Sequence, residues 1–138
     1  MATSTSSLVS TVTETVAIPG QNDVNLSVTH FNNMTQVIIT QSGALGTLLL
    51  ATPDTRTGGG LSSMEGMDQS TSIHITTLLG RRDIPGLEIA TRGLAQRVYN
   101  IKGPRQVLAS FGLEGEEGNS LSTLQLIIQT IEKLLLLQ

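Results

Sequence analysis

The 138-residue sequence has no cysteine, no tryptophan and three aromatic residues, Phe31, Tyr99 and Phe111. Without cysteine there is no disulfide framework, no thiolate nucleophile and no cysteine-ligated zinc. The same absence suits a reducing compartment, so the expected location is the cytoplasm, with the nucleus as a second compartment. Three aromatics cannot furnish a stacking platform for single-stranded nucleic acid. Charged residues make up 14% and the net charge is −3, whereas a general nucleic-acid binder carries a basic excess. No nucleic-acid partner is expected. Two histidines, His30 and His74, leave little material for a metal site, and no cofactor is expected. The longest apolar runs are four residues, as at Leu134–Leu137, against about 20 for a bilayer span. No membrane partner is expected. No Lys or Arg precedes Arg56, so the N-terminal stretch lacks the basic start of a signal peptide.

What is present reads as one domain. Residues 1–10 are rich in Ser and Thr and are expected to form a disordered tail, with a single domain over 11–138. Val12, Glu14, Val16 and Ile18 share one parity. Val24, Leu26 and Val28 alternate with Asn25, Ser27 and Thr29, the period of a half-buried strand. Val37-Ile38-Ile39 and Leu48–Ala51 are apolar on both parities, the pattern of strands buried on both faces. Residues 52–70, with Pro53 and Gly58-Gly59-Gly60, lack periodicity and read as a long flexible loop. Ile73, Ile75, Thr77 and Leu79 then share one strand parity. Asp83 reads as a helix cap ahead of Pro85, and Leu87, Leu94 and Val98 follow at helical spacing. Gln106–Phe111 is a further short strand. Asn119 or Ser120 caps a last helix with a stripe at Leu121, Leu124, Ile131 and Leu135. The fold class is α+β, about six mainly antiparallel strands with two helices, in the order βββββαβα. Two helices cover one face of such a sheet, so apolar surface is left over, to be covered either by a partner or by tightly wrapped loops of the monomer.

Catalytic patterns are missing. His30 and His74 read as structural or solvated histidines. Ser110 lies in Leu-Ala-Ser-Phe-Gly, without the leading Gly of a nucleophile elbow. Gly58-Gly59-Gly60 is followed by Leu-Ser-Ser and is no P-loop. The chain is not expected to be an enzyme. Six of its eight cations (Arg81, Arg82, Arg92, Arg97, Lys102 and Arg105) fall within 25 residues, opposed there by Asp83 and Glu88. The cluster is either a solvated helix face or a basic patch, centred on Arg81, Arg82, Arg92 and Arg97, that steers an acidic protein partner.

Between the two most apolar strands lies Thr40-Gln41-Ser42-Gly43-Ala44-Leu45-Gly46-Thr47-Leu48. Gly43 and Gly46 suit a turn with positive φ or close backbone approach. With Thr76–Gly80, the Asp83-Ile84-Pro85 helix start, the short strand and the final amphipathic helix, this stretch resembles the proteasome assembly chaperone 3 family over roughly residues 13–137. Gln41, Gly43, Leu45, Gly46 and Thr47 carry the motif.

The resemblance implies a non-enzymatic chaperone. Members of that family pair with a homologous chaperone of the proteasome assembly chaperone 4 type, and some form homodimers when alone. The heterodimer binds alpha-type subunits and promotes assembly of the 20S alpha ring. The loop after the fourth strand inherits the contact with alpha subunits, through Arg56, Thr57, Gly58, Gly59, Gly60 and Met64. The alternative from another class is a small α+β adaptor or trafficking module that dimerises.

Overall fold

The computed structural model describes residues 9–41, 43, 45–54, 72–114 and 120–137. The elements are β1 (Ser10–Val16), β2 (Val24–His30), β3 (Met34–Thr40), β4 (Thr47–Pro53), β5 (Ile73–Leu79), α1 (Pro85–Lys102), β6 (Gln106–Gly112) and α2 (Leu121–Leu137). The order βββββαβα and the α+β class are those expected from the sequence. Two boundaries differ. β1 already begins at Ser10, and β4 runs on to Pro53, inside the stretch assigned to the loop. Pro53 is the last residue of its strand, where a missing N–H costs the ladder nothing.

The strands form one sheet in the order β1-β2-β3-β6-β4-β5. All neighbours are antiparallel except β3 and β6, which are parallel. Succession in sequence makes β3 and β4 look like hairpin partners, but β6 lies between them. The chain leaves β5 at the sheet's rim, passes through α1 and returns to the centre.

One face of the sheet makes the core. Across a single register row sit Val28, Val37, Ala109, Leu49 and Thr77. Val28, Val37 and Ala109 are fully buried. Both helices pack onto this face, because their buried residues join the strands in one apolar cluster. α1 supplies Leu87, Leu94 and Val98, and α2 supplies Leu124, Ile127 and Ile131. Gly93 lies against Ile128, and Arg97 Nε donates to Glu132 Oε1 at 3.2 Å, so the helices run side by side in the same direction. Helical spacing explains both stripes, since residues three and four apart share a face.

The helix starts differ in chemistry. Asp83 does not cap α1. The N-cap residue is Ile84, which makes no side-chain capping bond, and Asp83 is engaged by Arg81 instead. Pro85 does open the helix, where its missing N–H is no loss. At α2, Ser120 Oγ accepts the backbone N–H of Thr123 at 3.3 Å, as expected for its cap.

Candidate partner interface

Among the described residues, no helix lies on the other face of the sheet. Its residues follow from the register. One row reads Ser27, Ile38, Ser110, Leu48 and Leu79. The next reads Thr29, Gln36, Leu108, Leu50 and Thr76. Ile38, Leu48, Leu50 and Leu108 are half-buried. The runs that are apolar on both parities therefore face the core on one side and this open surface on the other. Toward β1 the surface becomes hydroxyl-rich, with Thr11 against Thr29 and Thr15 donating to Asn25 Oδ1 at 3.0 Å. No Asp, Glu, Lys or Arg stands in these rows. His74, at the rim, is largely exposed, with Nε2 4.0 Å from Asp54 Oδ2.

A register shift opposite Leu48 and Leu49 extends the apolar part. Thr77 pairs with Leu49, while Leu79 pairs with Leu48, which leaves Leu78 as the extra residue. The alternation that put Leu79 on the core parity breaks here, because a bulge places two residues opposite one. Leu78 and Leu79 are 49% and 65% exposed, beside Leu48.

The glycine-containing motif turns out to be a crossing. The link from β3 to β4 must pass over the end of β6. Gly46 has φ +67°, and a Cβ there would collide with the carbonyl oxygen of Phe111 and lie 2.8 Å from the Cα of Gly112. Gly43 has φ +86° with open space around it, and its N–H donates to Thr40 Oγ1 at 2.8 Å. Ser110 Oγ donates to the Leu45 carbonyl at 2.5 Å, which pins the loop to β6 and buries the hydroxyl. The Leu45 side chain is 55% exposed. Thr47 Oγ1 accepts the N–H of Arg81 at 3.1 Å, and a Cβ on Gly80 would sit 2.7 Å from Thr47.

Gln41 ties this end of the sheet together. Its backbone N–H donates to Gly112 O at 3.0 Å. Its Nε2 donates to Asn22 O at 3.1 Å and to Gln21 Oε1 at 3.3 Å, and its Oε1 accepts the N–H of Glu114 at 2.6 Å. The motif residues are thus brought together, and their bonds are internal. His30, on the core parity, is buried with Nδ1 2.8 Å from Thr35 Oγ1.

The four arginines do not converge. Arg81 makes a bidentate pair with Asp83 at 3.0 and 2.8 Å. Those bonds hold the Asp83 carboxyl below the usual carboxylate range. Arg97 binds Glu132 on the α2 side of α1. Arg92 reaches the other way and donates to Ile73 O at 2.6 Å, and Arg82 donates to Thr77 O at 3.2 Å. Arg56, Thr57, Gly58, Gly59, Gly60 and Met64 lie outside the described residues.

Comparison with known proteins decides what kind of domain this is. The family model described as proteasome assembly chaperone 3 matches residues 37–134. The chain belongs to this family. The match takes in the crossing loop, α1, β6 and nearly all of α2. Among solved structures, the chain is similar to one in the "Crystal Structure of a Novel Chaperone Complex for Yeast 20S Proteasome Assembly", with a TM-score of 0.69 and 15% identity, over 91% of this chain and 98% of that one. At that identity the likeness speaks for the fold. No curated protein matches the sequence. Within the stretch matched to the proteasome assembly chaperone 3 family, the glycine-containing segment stands at the point where the fold needs the crossing.

Proposed function

We propose that the chain is a non-enzymatic chaperone of 20S proteasome assembly that works as one half of a dimer. The partner is a homologous chaperone of the proteasome assembly chaperone 4 type, and the pair binds alpha-type subunits and promotes formation of the alpha ring in the cytoplasm. The observation that carries this reading is the helix-free face, with Ile38, Leu48, Leu50 and Leu108 half-buried and no charged side chain in its rows. A homologous partner offers a second sheet with the same one-sided helix layer, and two such faces bury each other without desolvating an ion. Neutrality also permits pairing of two identical chains when the partner is absent. The contact of the pair with alpha-type subunits must be reversible, since an assembly chaperone leaves its product, and transient contacts sit at the low end of interface area.

The alpha-subunit contact is assigned to the segment between β4 and β5, through Arg56, Thr57, Gly58, Gly59, Gly60 and Met64. Deleting residues 57–67 is expected to weaken alpha-subunit binding and leave the melting temperature unchanged. Equal binding by the shortened chain would remove the segment from the mechanism. Steering by Arg81, Arg82, Arg92 and Arg97 belongs to the same reading, although two of these are already paired with carboxylates.

Native affinity purification of the tagged chain, with mass spectrometry of the eluate, tests the proposal. A second small chaperone with alpha-type subunits, and no mature beta subunits, is the expected result. Partners drawn from membrane traffic, with no proteasome subunit, would replace it by the adaptor reading.

A further inference from the structure

The outer rim of the sheet at β5 bears on how this chain avoids wrong pairings, a question separate from its face-to-face partner. A seven-residue edge strand, Ile73–Leu79, with no charged side chain is a ready template for another strand. Which backbone groups it offers follows from the ladder. Asp54 N–H donates to Ser72 O at 2.7 Å, so the carbonyls of Ser72, His74 and Thr76 point inward to β4. By alternation, the N–H and C=O groups of Ile73, Ile75 and Thr77 point outward.

Two of those three outward carbonyls are occupied. Arg92 Nη1, from α1, donates to Ile73 O at 2.6 Å. Arg82 Nη2, from the turn after β5, donates to Thr77 O at 3.2 Å. Arg81 and Arg97 are held by Asp83 and Glu132, whereas Arg82 and Arg92 spend their guanidinium groups on the rim. Each sits at a carbonyl that an added strand would need, and each places a positive charge beside it. Beyond Thr77 the bulge at Leu78 ends regular pairing.

We infer that Arg82 and Arg92 close the β5 edge against strand addition, so that the molecule associates through its sheet face and not through its rim. They set pairing specificity by excluding the wrong partner, including a second copy of this chain joined edge to edge. The cluster of cations in the sequence thereby acquires a role other than steering.

The test compares the full chain with Arg82→Ala/Arg92→Ala and with Arg82→Glu/Arg92→Glu, by sedimentation velocity over a concentration series and by thioflavin T. The Ala pair frees two carbonyls and removes both charges. Species larger than those of the parent chain are expected, with self-association strengthened about tenfold. The Glu pair also loses the caps, but like charges along the rim repel, so it is expected to match the parent chain. If the Ala pair behaves as the parent, the inference falls. It also falls if the Ala and Glu pairs assemble alike, because general loss of stability then explains both. Adding Leu48→Asp and Leu50→Asp separates the two surfaces. The edge-driven species persist if the rim is responsible, and their disappearance would reassign the assembly to the face.

Discussion

A methyl group on Gly46 would meet the backbone of β6 at the carbonyl oxygen of Phe111, in a conformation with φ +67°. On Gly43 it would meet nothing within 4 Å, at φ +86°. Gly43→Ala is therefore expected to cost only the left-handed strain, about 1–2 kcal/mol. Gly46→Ala adds a clash that neither backbone can relieve, and about 3 kcal/mol or more is expected. Urea unfolding of both variants checks the difference, and equal costs would contradict the crossing. Gln41→Leu strands the N–H of Glu114 and the partners at the β1–β2 turn, for an expected loss of about 2–3 kcal/mol in the same assay. Asp83 gives a pH signature. Its carboxyl is held below its ordinary value by the hydrogen bonds from Arg81. The stability it contributes is thus present above the unfolded carboxylate pKa, about 3.9, and is lost as pH falls through the folded value. Asp83→Asn is expected to melt slightly below the parent chain at pH 7, with the gap closing in acid. The pair is solvent-exposed, so the gap is small. The need for glycine at positions 43 and 46 was legible in the sequence. The positive φ of Gly43 was part of that reading, but the backbone that Gly46 must clear was not, because it lies in β6, more than sixty residues away. Asp83 was misleading, since a short acidic residue before Pro reads as a cap and the competing Arg81 stands two positions earlier.

At the scale of elements, periodicity carried the reading where one face is buried and the other is wet. β2 alternates cleanly, and both helices show their stripes, with α2 capped where Ser120 suggested. Ser120→Ala is expected to cost about 1 kcal/mol, measurable as a lower melting temperature. Two features escaped. The insertion of β6 between β3 and β4 has no local signature, because the connection over residues 41–46 has the length of an ordinary hairpin loop. The bulge at Leu78 has none either, as Ile73, Ile75, Thr77 and Leu79 keep one parity in sequence while pairing with β4 moves Leu79 to the other face. The double-parity apolar runs of β3 and β4 were legible as strands needing cover on both sides. The described residues supply that cover on one side only.

For the molecule as a whole, a helix layer over one face and a charge-free, leucine-bearing surface on the other define the interaction problem. Each half-buried leucine on that surface gains about 1 kcal/mol when fully covered, a fraction of the 1.5–3 kcal/mol for complete burial. Several such gains must exceed the cost of association, and only the surplus appears as affinity between the two faces. A carboxylate placed there would be buried without a counter-ion when the faces meet. The direct measurement is co-purification of the homologous chaperone and alpha-type subunits with the parent chain and with Leu48→Asp/Leu50→Asp, alongside circular dichroism of each. A folded variant whose partner binding is weaker by about 100-fold or more is expected. A folded variant that retains its partners undiminished would place the interface elsewhere and contradict the assignment of the open face.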